Sequence, residues 1–212
     1  MIVYFLGQEK PEWFPHLDRY LPKLQPDGTY NDPKHDHEHG VSAAAMYELV
    51  VALNAKAVLE LGTRMGKSTG ILLVALERTG GHLYSMDIND CDVSTYVPGG
   101  ASPQLTKIVS DDRLYAWDIP VDMVLIDSSH LYDHTKEQMT KYWPHVKTPG
   151  VMVLSDTDSH FSQKRAVQDW AEEMRLSYVF DTRGQGGAYF FKPVYGERCR
   201  DRVTVDRWET GV

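Results

Sequence analysis

Four carboxylates stand where apolar runs end. Glu60 lies inside the run Ala57 to Leu61, Asp87 follows His82 to Met86, Asp127 follows Val121 to Ile126, and Asp156 comes just after Val151 to Leu154. One acid at the end of a strand is ordinarily a cap or a turn residue. Four at the same edge of a sheet form a set, because ligands of open α/β sheets bind at the carboxyl ends of the strands. Between the first two acids runs Gly62-Thr63-Arg64-Met65-Gly66-Lys67-Ser68, a glycine-punctuated turn that passes straight into a helical pattern. A strand, a tight loop and a helix N-terminus in that order direct unpaired N–H groups and the helix dipole at whatever sits on the loop.

Two nucleotide chemistries compete for this loop. Gly66-Lys67-Ser68 has the ending of a phosphate-binding P-loop, with Val121 to Asp127 as the magnesium-binding strand. That motif requires four residues between its glycines, and only Thr63, Arg64 and Met65 are present. The alternative is a nucleoside site, since Asp87 stands about 20 residues beyond Gly66, the spacing of an acid that accepts both ribose hydroxyls. The loop is not G-x-G-x-x-G, which counts against a nicotinamide cofactor. Glu60, just before the first glycine, would repel a pyrophosphate and suits a cofactor with a cationic, amino-acid-like end. S-adenosylmethionine has ribose hydroxyls, a sulfonium and an amino-acid group.

In series, these segments resemble a family. Val58-Leu59-Glu60-Leu61-Gly62-Thr63 with Gly66 and Ser68 is similar to the first motif of class I S-adenosylmethionine-dependent methyltransferases. Ser85-Met86-Asp87-Ile88 is similar to their ribose-binding motif, and Val109-Ser110-Asp111 to the place where an acid approaches the adenine. Val124 to Tyr132, with Asp127 and His130, resembles the Ile-Asp-Gly-x-His-x-Tyr segment of a small-molecule O-methyltransferase-like branch. Pro149-Gly150-Val151 and Ser155-Asp156-Thr157 resemble that branch's Pro-Gly-Gly and His-Asp-Thr elements.

The resemblance implies an α/β, Rossmann-like fold: a seven-stranded, mostly parallel sheet with an antiparallel last strand and helices on both faces. It implies S-adenosylmethionine held by Glu60, Gly62, Thr63, Gly66, Ser68, Asp87, Ile88, Asp111 and Asp127. Some relatives add a divalent cation such as Mg²⁺, bound by an acid after the fourth strand and an Asp-Asp or Asp-Asn pair after the fifth. Asp127 and Asp156 match two of those positions, Thr157 replaces the third, and Asp158 is the substitute at hand. Arg64 replaces a usual glycine, and Ser155 a usual histidine.

The reaction expected is in-line transfer of a methyl group to a hydroxyl oxygen of a small molecule. Alignment does most of the work, and the hydroxyl must lose its proton. His130 is the candidate base, since imidazole titrates near neutrality, with Asp127 orienting it or holding the metal; Tyr132 is read as packing. A fold-retaining protein that binds the cofactor without catalysis remains the alternative from another class.

The elements that position these residues alternate. Helical periodicity covers Gly40 to Leu53 and Lys67 to Arg78, strands His82 to Met86 and Leu105 to Val109, and a short helical connection Asp111 to Trp117. Asn89 to Pro103 reads as a loop with a short helix. A helix is expected over Tyr132 to Val146, stopped by Pro149 and Gly150, and another over Gln163 to Met174. Ser177 to Phe180 and Ala188 to Phe191 read as an antiparallel pair joined through glycines.

Residues 41–193 thus make the cofactor-binding domain. Residues 1–40, broken by five prolines, form an irregular arm in a position to lid the pocket, with Ile2 to Leu6 a short edge strand. Within it His35-Asp36-His37-Glu38-His39 is read first as a solvated loop and second as a metal site, for which the chain must be extended. Residues 194–212 are a charged tail with four arginines.

With 212 residues, 22 basic against 30 acidic side chains and a net charge of −8, the chain is set against a phosphate-backbone partner. A small-molecule acceptor is expected, with neither nucleic acid nor membrane, and a homodimer is allowed. Cys91 and Cys199 match no metal or redox spacing, no run reaches a membrane span, and the N-terminus lacks a basic leader. The expectation is a cytoplasmic protein.

Overall fold

The computed structural model describes residues 23–24, 30–31, 43–181 and 185–192. Expectations for Ile2 to Leu6, the histidines at 35, 37 and 39, Cys199, the arm as a lid and the 194–212 tail lie outside those residues, apart from a two-residue antiparallel ladder of β1 (Lys23–Leu24) with β2 (Tyr30–Asn31). From residue 43 the elements are α1 (Ala43–Ala52), β3 (Ala57–Leu61), α2 (Lys67–Thr79), β4 (His82–Asp87), β5 (Leu105–Val109), β6 (Val121–Ile126), α3 (Tyr132–Tyr142), β7 (Val146–Ser155), α4 (Phe161–Met174), β8 (Val179–Asp181) and β9 (Gly187–Lys192).

Seven strands form one sheet in the order β5-β4-β3-β6-β7-β9-β8. All adjacent pairs from β5 to β7 are parallel, and β9 is inserted antiparallel between β7 and β8. This is the Rossmann-like class I methyltransferase arrangement, with the antiparallel last strand expected. The chain leaves β3 toward β5 and then returns to β6 on the other side. The crevice of such a reversal therefore lies beyond the ends of β3 and β6.

Side-chain alternation sorts the core onto two faces. Val58, Leu83, Met123, Leu125, Val151 and Val153 pack with Ile71, Leu72 and Leu76 of α2 and Met46 and Val50 of α1. Leu59, Leu61, Val124, Ile126, Met152 and Leu154 pack on the other face with Met139 and Tyr142 of α3 and Val167 and Trp170 of α4. Glu60 shares the parity of Val58, so a carboxylate enters the α2 face with no solvent exposure.

Three local expectations are corrected. Asp111 to Trp117 forms turns rather than a helix, with the Leu114 and Tyr115 N–H groups both donating to the Asp111 carbonyl. The helix from Tyr132 ends at Tyr142 because Pro144 lacks the N–H to continue it, and Trp143–His145 closes as a 3₁₀ turn. Pro149 and Gly150 are not its stop: they lie inside β7, where the pairing with β6 shifts register between Val121 and Met123 and the Thr148–Pro149 peptide is cis.

Candidate active site

The loop after β3 is pinned from two sides. Gly62 N–H donates to the Met86 carbonyl of β4, and Asp127 N–H donates to the Leu61 carbonyl, both at 2.8 Å. Gly62 has φ +100°, and a Cβ there would lie 2.3 Å from the Asp127 carbonyl oxygen. Only glycine lets the loop close on the end of β6. Gly66, at φ +82°, opens α2 and leaves room for Val93 of the loop beyond β4.

Asp87 ties this loop to β4. Its Oδ2 accepts the N–H groups of Thr63 at 3.0 Å and Arg64 at 3.1 Å, and its Oδ1 accepts that of Asn89 at 2.9 Å. Burial alone would raise the Asp87 carboxyl, but the donors from Asn89, Arg64, Thr63 and the Cys91 thiol together hold it below its ordinary value. Ile88, next in sequence, is exposed at the strand end.

Glu60 lies beneath the loop. Its Oε2 accepts hydroxyls from Thr69, at 2.7 Å, and from Ser85, and Ser85 in turn meets the Thr63 hydroxyl at 2.7 Å. Burial pushes its carboxyl up to about 7; the Ser68, Ser85 and Thr69 hydroxyls oppose the rise, and the Asp127 charge adds to it. The other oxygen, Oε1, is buried without a hydrogen-bond partner among the described residues. An orphaned acceptor of this kind fits a cofactor carrying an ammonium group.

Asp111 turns back on its own segment, pairing with Arg113 at 2.8 Å, which holds its carboxyl at about 2. The buried neighbour Asp112 is the hub: it accepts hydrogen bonds from Ser128, His134 and Gln138, while its carbonyl receives Lys141 and Tyr142. These bonds brace the segment beyond β6 that carries His130. Asp111, Asp112 and His134 come close enough together to share an ion, but Asp112 is already saturated by protein donors. Sequence reasoning missed Asp112, because Asp-Asp does not reveal which member turns inward.

The second corner joins the ends of β6 and β7. His130 Nε2 lies 3.7 Å from Asp127 Oδ1 and 3.6 Å from Asp156 Oδ2. Nε2 is buried and makes no hydrogen bond among the described residues. Burial raises the Asp127 carboxyl to about 6, with neighbouring Asp156 adding to the rise and His130 and Arg64 opposing it. Asp156 has φ +60°, a left-handed conformation that Asp tolerates better than most residues. The imidazole of His160, just before α4, stacks on that of His130 at 4.0 Å and 7° between planes. His160 was also missed; a histidine four residues after a strand-end acid was the available signal. The cleft here, about 570 Å³, is lined by Ser128, His130, Ser159 and His160 with Leu131 and Phe161 exposed at its rim. Tyr132 donates to Asp169 at 2.8 Å, tying α3 to α4.

A divalent cation held by oxygens alone finds few further partners here. Asp158, the substitute third ligand, is drawn to Lys164 at 2.6 Å, and Thr157 offers only a neutral hydroxyl. The donors gathered at the corner are two carboxylates and two imidazoles, a set unlike the all-oxygen shell that Mg²⁺ takes.

A family model described as "Methyltransferase domain" matches residues 59–157, a little under half of the chain. No curated protein matches. Among solved structures, SAH-bound methyltransferase PaMTH1 of Podospora anserina is 10% identical with a TM-score of 0.60, covering 71% of this chain and 77% of that one. The O-methyltransferase TomG of Streptomyces achromogenes, solved with SAM, is 17% identical with a TM-score of 0.58, over 89% and 92% of the two chains. The N-methyltransferase NodS of Bradyrhizobium japonicum, with S-adenosyl-L-homocysteine, is 11% identical with a TM-score of 0.54, over 71% and 85%. The fold is that of Rossmann-like class I methyltransferases, and residues 59–157 match the methyltransferase domain model. O-methyltransferases, the branch that the motifs of this chain resemble, are among the structures that share this fold.

Proposed function

We propose that the protein transfers a methyl group from S-adenosylmethionine to an oxygen of a small-molecule acceptor in the cytoplasm. The observation that carries the reading is the contact of Gly62 with the Asp127 backbone, which joins the glycine loop to the corner of Asp127, His130 and Asp156. Glu60, Gly62, Thr63, Gly66, Ser68, Asp87, Ile88, Asp111 and Asp127 are the residues assigned to the cofactor, whose sulfonium supplies an electrophilic methyl group. The chain supplies alignment, worth up to about 7–11 kcal/mol of barrier in favourable cases, and a base. The two carboxylates favour the ring proton of His130 on Nε2, leaving the Nδ1 lone pair to take the acceptor's hydroxyl proton. The apolar rim of Leu131 and Phe161 above serine hydroxyls suits an acceptor with an apolar body and polar substituents.

Calorimetry tests the cofactor first. S-adenosylmethionine is expected to bind and Mg²⁺–ATP not to, and Asp87→Ala should weaken the cofactor by about 1–3 kcal/mol, the scale of lost charge-assisted hydrogen bonds. Unchanged affinity in that variant would remove Asp87 from the site. With an acceptor in hand, His130→Asn should lower the maximal rate by about 10²–10⁴-fold, the range of a general base, and leave cofactor affinity near its original value. Near-normal turnover with the same acid limb would make His130 structural.

A further inference from the structure

Of the acids assigned to the cofactor, Glu60 has no solvent exposure, whereas Asp87, Asp111 and Asp127 keep some. The elements packed around it satisfy one of its oxygens and leave the other. Hydroxyls of Thr69 from α2 and Ser85 from β4 donate to Oε2, while Oε1 is buried without a hydrogen-bond partner among the described residues. These donors are neutral. The neighbouring charge that weighs most on Glu60 is that of Asp127, beyond β6, and it is negative.

A carboxylate enclosed in this way, with one oxygen unanswered and a like charge near, is more costly than the carboxylic acid. Until a cation reaches it, Glu60 therefore stays protonated toward neutral pH. Asp87, across the same loop, is the opposite case, because three backbone N–H donors favour its ionised form. An ammonium group reverses the balance at Glu60. An α-amino group titrates near about 8, so it arrives charged at lower pH, and a positive charge within reach of Oε1 favours the carboxylate.

We propose that Glu60 selects a cationic cofactor by exchanging its own proton for the ammonium group, so that uptake of S-adenosylmethionine releases that proton to solvent. The acid and the ammonium become a carboxylate–ammonium pair, and no other bond changes. The proposal rests on the S-adenosylmethionine reading of the site. The bound form carries fewer protons, so affinity rises with pH, by up to about tenfold per unit below about 7, and levels off above it.

Calorimetric titration of the full chain with S-adenosylmethionine near pH 6, repeated in two buffers of different ionisation enthalpy, counts the protons released. Glu60→Gln replaces a neutral acid by a neutral amide and should lower the count by about one, with a flatter dependence of affinity on pH. Asp127, raised to about 6, titrates in the same window, and its share is what remains in that variant. 5′-Methylthioadenosine keeps the nucleoside and lacks the ammonium group, so parent and variant should release equal numbers of protons with it. Infrared difference spectra of the parent need no variant: adding S-adenosylmethionine should remove the carbonyl stretch of a protonated carboxylic acid. Equal proton counts for parent and Glu60→Gln with S-adenosylmethionine, or a carboxylic-acid band that persists on binding, would overturn the exchange while the cofactor reading stands. Failure of S-adenosylmethionine to bind at all would overturn that reading and the exchange with it.

Discussion

Glu60 shows how much one side chain can hold in reserve. It is fully buried and its carboxyl is raised to about 7, chiefly by burial. An acid whose folded value is raised binds a proton more readily in the folded chain than in the unfolded one. Below the unfolded value, about 4.3, both states are protonated and Glu60 adds no pH dependence. Between there and about 7 the folded state holds more protons, so stability falls as pH rises, and above that window the cost is constant. Glu60→Gln should therefore flatten this part of the stability profile and gain on the parent as pH is raised from 5 toward about 7. Denaturant unfolding across that range checks it, and parallel profiles would mean that Glu60 is ionised throughout. The sequence revealed an acid ahead of the glycine; its depth follows from the parity it shares with Val58, but the orphaned oxygen depends on hydroxyls of Thr69 and Ser85 brought in from other elements.

At the scale of elements, the strand ends meet through backbone rather than side chains. Gly62 in β3's loop leaves no room for a Cβ against Asp127 beyond β6. Gly62→Ala should destabilise the protein by upwards of about 3 kcal/mol, beyond the 1–3 kcal/mol of a strained φ alone, because the loop must also move off Asp127. The denaturant midpoint reads this directly, and a shift below about 1 kcal/mol would show that the loop relaxes freely. The central strands β3, β4 and β6 were legible because an apolar run carries or meets an acid at its end. The end of α3 was misread because Pro149-Gly150 is the louder breaker signal, while Pro144 acts first. The absent helix at Asp111 to Trp117 reflects tertiary demand, since the Asp112 carbonyl is claimed by Lys141 and Tyr142 of α3.

For the whole molecule, the reversal of strand order divides the proposed site between two halves of the chain. Asp87 and the glycine loop come from the half that runs out to β5, and His130, Asp156 and His160 from the half that runs through β7. A cofactor that touches both halves should stabilise the fold as one unit. At a concentration near 100 times Kd, S-adenosylmethionine should add about 2.7 kcal/mol, raising Tm by roughly 5–11 °C at 2–4 °C per kcal/mol for a chain of this length. A thermal scan with no shift at that concentration would mean that the cofactor does not bind the folded chain. The fold was legible at this scale because the motifs in series resemble a family whose strand order they imply, and the glycine-joined pair at the end agrees with it. The meeting of His130 with His160 was not, because it depends on where two loops lie across the β6–β7 boundary.

The three N–H groups that Asp87 accepts have a consequence for how such a protein can change over generations. The acid assigned to the nucleoside is also the latch of the loop, so a substitution that altered nucleoside preference would unfasten the backbone as well. The cleft beside Leu131 and Phe161 carries no such double duty, because those side chains are exposed at its rim. Drift in what the protein acts upon is therefore inexpensive, while drift in what it borrows its reactive group from is locked.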